Sequence, residues 1–109
     1  MLTYLRVGAI EYRVALVTRL QKGGEVLNGR ITHNLCRIEI DADLAPQTKA
    51  VTIWHEILHS LMTQAGMDEQ DEQLIETLSY GIVGVLRDNP ELHDAAAIWA
   101  PGIIEVNDA

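Results

Sequence analysis

The spacing of apolar residues changes once along the chain, and the change divides it into a strand block and a helix block. Residues 3–17 read as extended structure: Ile10, Tyr12, Val14 and Leu16 alternate with Glu11, Arg13 and Ala15, a period of two. Gly8 predicts a break into two short strands. Lys22-Gly23-Gly24-Glu25 reads as a loop or turn. Asn28-Gly29 predicts a hairpin between Val26-Leu27 and Arg30-Ile31-Thr32, because both residues tolerate positive φ. Alternation returns at Cys36-Arg37-Ile38-Glu39-Ile40-Asp41, with Cys36, Ile38 and Ile40 on one face and Cys36 expected as a small buried side chain. The block predicts a small, mostly antiparallel sheet with one buried face.

Asp43-Leu44-Ala45-Pro46 changes the regime. Pro suits the first turn of a helix, and Asp43 suits its positive end. Val51, Trp54, Leu58, Leu61, Met62 and Ala65 then recur at helical spacing, and Gly66 is the expected stop. The spacing predicts a helix over 46–65. An acidic connection, Met67 to Asp71 with Asp68 as N-cap, leads to a second helix. There Leu74, Leu78 and Ile82 are expected to serve the core, with Ile75, Val85 and Leu86, and Arg87 suits the last turn. Asn89-Pro90 ends it and predicts a short third helix over 91–99. The class is α+β, one domain over 1–109: a small antiparallel-rich N-terminal sheet, then two helices.

At 109 residues the chain supports one modest core, and 48% apolar with 22% charged residues is a globular composition. A net charge of -8 leaves no basic surface for a phosphate backbone, which argues against a nucleic-acid partner. Cys36 is the only cysteine, so no internal disulfide forms and a reducing compartment is expected. The N-terminus has no basic segment followed by a long apolar run, and no stretch is long enough to span a bilayer. The expectation is a cytoplasmic protein without a membrane partner.

Candidate chemistry centres on His55-Glu56-Ile57-Leu58-His59, an HExxH pattern inside the first helix. Residues four apart share a helix face, so the two imidazoles can grip one zinc ion. Zinc lowers the pKa of a bound water, and Glu56 beside it is the candidate general base. A catalytic zinc needs a third protein ligand. Glu72 and Glu76 share one face early in the second helix, which a short loop makes a neighbour of the first. Glu76, lying where the helix turns apolar, is favoured over Glu72. The carboxylate that is not a ligand suits a ligand imidazole's N–H. A metzincin extension is excluded, since Met62 and Ala65 stand where Gly and His are required. Tyr80, His93, His33 and Tyr12 are the candidates for stabilising an oxyanion.

Val51-Thr52-Ile53-Trp54-His55-Glu56-Ile57-Leu58-His59 and Glu76-Thr77-Leu78-Ser79-Tyr80-Gly81 resemble compact gluzincin-like peptidases. They are most similar to the ImmA/IrrE-like group with its small phage and prophage members, over about Val26 to Leu86. That group usually has Ala where Thr77 stands and an aromatic residue where Tyr80 stands. The resemblance implies a minimal zincin-like fold, zinc on His55, His59 and Glu76, and Glu56 as base. The expected function is a zinc endopeptidase acting on a protein or peptide. Cys36–Asp41 would then be the sheet edge that holds the substrate as an added strand. The other expectation is a non-enzymatic, phage-encoded partner-binding protein with a structural or decayed metal site.

Overall fold

The computed structural model describes residues 3–94. In chain order the strands are β1 (Tyr4–Val7), β2 (Ile10–Val17), β3 (Gln21–Lys22), β4 (Glu25–Val26), β5 (Gly29–Thr32) and β6 (Arg37–Asp41). Two helices follow, α1 (Pro46–Gln64) and α2 (Glu72–Asp88). The class is α+β, with the sheet first and the helices after it. Four strands form one sheet in the order β1-β2-β6-β5, and β3-β4 form a separate ribbon.

Two of the three pairings in the main sheet are antiparallel, β1 with β2 and β5 with β6, while β2 and β6 run parallel at its centre. The parallel pair corrects the expected position of Cys36–Asp41. β6 is internal, flanked on both sides, and β5 is the edge beside α1. Gly8, at φ +57, makes the reversal between β1 and β2. The other reversal is not at Asn28-Gly29. It falls at Gly23-Gly24, with φ of +60 and +82, because a two-residue hairpin turn of this hand needs positive φ twice. Cys36 is exposed rather than buried. It closes a one-turn 3-10 helix (His33–Leu35) in the left-handed region, at φ +50, and the strand begins one residue later.

Val7, Tyr12, Ile38, Ile40 and Ile57 form the core between sheet and α1, with Leu5, Ile10, Val14, Ile31, Leu44, Ile53 and Trp54 packed on it. The buried row of α1 is Val51, Thr52, Glu56, Ile57 and Ser60, offset from the expected stripe, and Leu61 lies at 44% exposure. Polar groups in this row are satisfied: Tyr12 Oη and Ser60 Oγ are 2.7 Å apart, and Gln64 donates to the Val7 carbonyl at 2.8 Å. Ala45, not Asp43, caps α1, without a side-chain hydrogen bond. Gly66 ends the helix as expected, at φ +79. Its N–H bonds to Thr63 O and that of Met67 to Met62 O, the paired closure of a glycine-terminated helix.

Gly29 sets how closely β5 approaches α1. A Cβ there would meet Thr52 Cγ2 at 2.5 Å and Ile40 Cδ1 at 3.2 Å. Both neighbours are packed, so Gly29→Ala should destabilise by about 1–3 kcal/mol through overpacking, read as a lower urea midpoint. An unchanged midpoint would mean that the strand can move away freely.

On α2 only Ile75 and Ser79 are buried. Leu74, Leu78 and Val85 are exposed at 49%, 40% and 50%, which corrects the expectation that Leu74 and Leu78 serve the core. Ile75 and Ser79 define the α1-facing row instead, and the leucine stripe lies on the far side. Beyond α2 the chain makes a single 3-10 turn, Pro90–His93. The remainder of the expected third helix lies outside the described residues. Among the described residues no helix is long and apolar enough to cross a membrane.

Candidate metal centre

His55 and His59 project from the middle of α1, one turn apart, with their Nε2 atoms 3.2 Å from each other. Glu72, the first residue of α2, places Oε2 3.0 Å from His55 Nε2 and Oε1 3.0 Å from His59 Nε2. These three side chains offer donor atoms within 4.8 Å of one another, a group that could hold a metal ion.

Each imidazole is also held from behind. Gln70 Oε1 lies 2.6 Å from His59 Nδ1, and Glu76 Oε2 lies 3.2 Å from His55 Nδ1. Both oxygens can accept an Nδ1 proton, and with the protons there both Nε2 lone pairs are open to an ion shared with Glu72. The orientation of the Gln70 amide follows from its other bonds, since its Nε2 donates to Met67 O at 2.9 Å and Thr63 Oγ1 at 3.0 Å. Fixing the ring and its tautomer through the far nitrogen is what metal-binding histidines require.

The expected third ligand, Glu76, is therefore not the carboxylate at the Nε2 pair. Glu72 occupies that place and Glu76 is the acceptor behind His55, the reverse of the expected assignment. The cause is the position of the helix start. Asp71, not Asp68, is the N-cap, its side chain accepting from the N–H groups of Gln73 and Leu74. That start puts Glu72 in the first turn, opposite the histidines. Gln70 was not foreseen. It lies in an irregular connection without periodicity, and the only cue in the sequence is a polar amide next to a site whose imidazoles need acceptors.

Glu56 follows His55 on α1 and is 6% exposed. Burial raises its pKa above the ordinary glutamate value. The nearby His55 and His59 pull it down and Glu72 pushes it up, but burial dominates. Two cavities open beside it. One, of about 340 Å³, is lined by Val26, Leu27, Val51 and Tyr80 together with His55, Glu56 and Glu76. The other, of about 360 Å³, is lined by Lys22, Arg30 and His33 together with His55, Glu56, His59 and Glu72.

Of the four residues considered for an oxyanion, Tyr80 and His33 border these cavities and Tyr12 does not. Tyr12 is fully buried and its hydroxyl is engaged with Ser60. His93 lies in the 3-10 turn after α2, and its side chain is outside the described part of the molecule. No family model, curated protein or solved structure matches this chain.

Proposed function

We propose that the protein is a zinc-dependent endopeptidase in which His55, His59 and Glu72 hold the ion and Glu56 is the general base. One observation carries the reading: two imidazole Nε2 atoms and a carboxylate converge while the far nitrogens are held by acceptors. The two Nε2 atoms stand 3.2 Å apart, with a Glu72 oxygen 3.0 Å from each; this suits a small tetrahedral ion, because bonds of about 2.0–2.1 Å place donors roughly 3.3 Å apart. Two nitrogens and one oxygen favour zinc over calcium or magnesium, which take oxygen donors. When bound, zinc supplies Lewis acidity, which polarises the scissile carbonyl and acidifies a water.

The protein's own groups do the remaining work. Glu56 takes a proton from the attacking water and delivers it to the departing amide nitrogen. Its burial favours this role, because a base with a raised pKa holds the proton more firmly in transit. Tyr80, on the wall of one cavity, supplies a donor to the carbonyl oxygen, whereas both ring nitrogens of His33 already face Tyr12 Oη and Thr63 Oγ1. β5 supplies the edge that holds the peptide. Asp41 N–H bonds to Asn28 O at 2.8 Å, and antiparallel pairs alternate. Arg30 and Thr32 therefore bond to β6, while Gly29 and Ile31 turn their N–H and C=O outward. An extended peptide can pair there as an added strand. The HExxH helix and the second helix with its glutamates support kinship with the ImmA/IrrE-like peptidases.

A second reading, a non-enzymatic partner-binding protein with a structural ion, is favoured by the exposed leucine stripe of α2. It leaves the buried base and the two cavities beside it without a role. The test is metal analysis combined with peptide hydrolysis. Protein prepared in zinc without chelator should hold about one ion per chain and cleave unfolded casein, losing both on dialysis against a chelator. Bound zinc with no cleavage would favour the second reading; no zinc would remove both.

A further inference from the structure

The two cavities flanking the site differ in chemistry. Leu27 and Glu56 border both; Val26, Val51, Tyr80 and Glu76 belong to one, whereas the cations Lys22 and Arg30, with His33, belong to the other. Arg30 is committed, since its guanidinium donates to Glu39 Oε1 at 3.0 and 2.7 Å. Glu72 borders the same cavity, but its oxygens face the imidazole nitrogens. Lys22 has no carboxylate partner among the described residues. It sits on a short exposed ribbon: the Gly23-Gly24 turn sets it opposite Glu25, and the ribbon closes where Leu27 N–H donates to the carbonyl of buried Leu20 at 2.9 Å. His33 is half-buried, its ring between Tyr12 Oη and Thr63 Oγ1 at 3.4 Å each. Lys22 is therefore the uncommitted cation of a cavity whose carboxylates are Glu56, buried in α1, and Glu72, turned to the imidazoles.

The direction of a bound peptide follows from β5, which runs from Gly29 towards His33. An antiparallel added strand, the slightly more stable arrangement, enters at the His33 end and leaves at the Gly29 end. Residues N-terminal to the scissile bond then lie over the Lys22 cavity, and residues C-terminal to it lie over the Val51 and Tyr80 cavity.

We propose that Lys22 determines specificity, and that the preferred substrate is an extended polypeptide with Asp or Glu on the N-terminal side of the bond cut. This rests on the endopeptidase reading and adds the substrate class. The ammonium attracts the carboxylate at the rim of the cleft, where water screens it only in part, so the preference is modest and sensitive to salt.

The experiment is digestion of a randomised peptide mixture by the zinc-loaded full chain, with the cut sites read by mass spectrometry. Wild-type cuts should be enriched about fivefold for acidic residues just before the cleaved bond, and the enrichment should shrink as salt is raised. Lys22→Arg should keep it, and Lys22→Glu should abolish it or turn it towards Lys and Arg. Lys22 is exposed, so both variants should melt and bind zinc as wild type does. Cleavage without acidic enrichment, or enrichment unaltered in Lys22→Glu, overturns the proposal and leaves the endopeptidase reading standing. Zinc-loaded protein that cuts nothing in the mixture defeats that reading and the proposal with it.

Discussion

Glutamine in place of Glu72 is expected to lower zinc affinity on the order of a thousandfold, while glutamine at Glu76 should cost about 10- to 100-fold. The asymmetry follows from which imidazole nitrogen each carboxylate meets. Glu72 faces both Nε2 atoms, so the substitution removes one of three charged or basic donors. Glu76 faces His55 Nδ1 from behind. An amide oxygen can still accept that N–H, so only the basicity and aim of the ring suffer. His55→Ala and His59→Ala should each abolish binding. Protons compete for the same Nε2 lone pairs, so zinc should leave as pH falls through roughly 6 to 4. A titration of each variant against a competing chelator at fixed pH measures these losses. A large loss in Glu76→Gln with near wild-type affinity in Glu72→Gln would return Glu76 to the role expected from sequence.

Glutamine in place of Glu56 should reduce hydrolysis by a factor on the order of a hundred or more, with zinc retained. The side chain keeps its shape and loses only its basicity. Burial raises the pKa of Glu56, so the fold holds its proton more tightly than the unfolded chain does. In metal-free protein its contribution to stability is therefore greatest below the unfolded value and is lost as pH rises through the folded one. Metal-free Glu56→Gln should accordingly melt higher than metal-free wild type at neutral pH, with the advantage disappearing in acid. Melting curves at several pH values check this, and kinetics with metal analysis check the role. If Glu56→Gln lost zinc as completely as His55→Ala does, Glu56 would be a ligand and not a base.

Much of the fold was legible because it rests on local signals. The period-two stretch at Ile10–Leu16, the glycine stop at Gly66 and the start of α1 at Pro46 each depend on a few neighbouring residues, and each appears where the sequence places it. What local signals could not give was the pairing of distant strands. Nothing in Arg37–Asp41 announces that it inserts beside β2, so the edge fell to β5 instead. The turn at Lys22–Glu25 falls where the sequence places it, while the hairpin expected at Asn28-Gly29 does not form, because Gly29 is needed for close packing against Thr52, not for positive φ.

The site shows the same division. The His pair and Glu56 follow from helical periodicity alone. The choice between Glu72 and Glu76 depends on where α2 begins, and two aspartates three residues apart offered alternative caps. That shift of three residues carries a side chain about 300° round the helix and about 4.5 Å along its axis. Which glutamate faces the histidine Nε2 atoms is decided by that small a step.

α2 has little apolar surface against the rest of the molecule, since only Ile75 and Ser79 are buried along its length. On the proposed reading, an ion shared by α1 and by Glu72 at the start of α2 would be a staple as well as a reagent. It would close the loop between His59 and Glu72 and pin the helix that forms one wall of the cleft. Without it, α2 would be held by Ile75, Ser79, half-buried Ile82, Val83 and Leu86, and the hydrogen bonds behind the histidines. Metal supply would then set the stiffness of the cleft together with its chemistry, and a chain short of zinc would lose the shape proposed to receive a peptide while its sheet stayed folded.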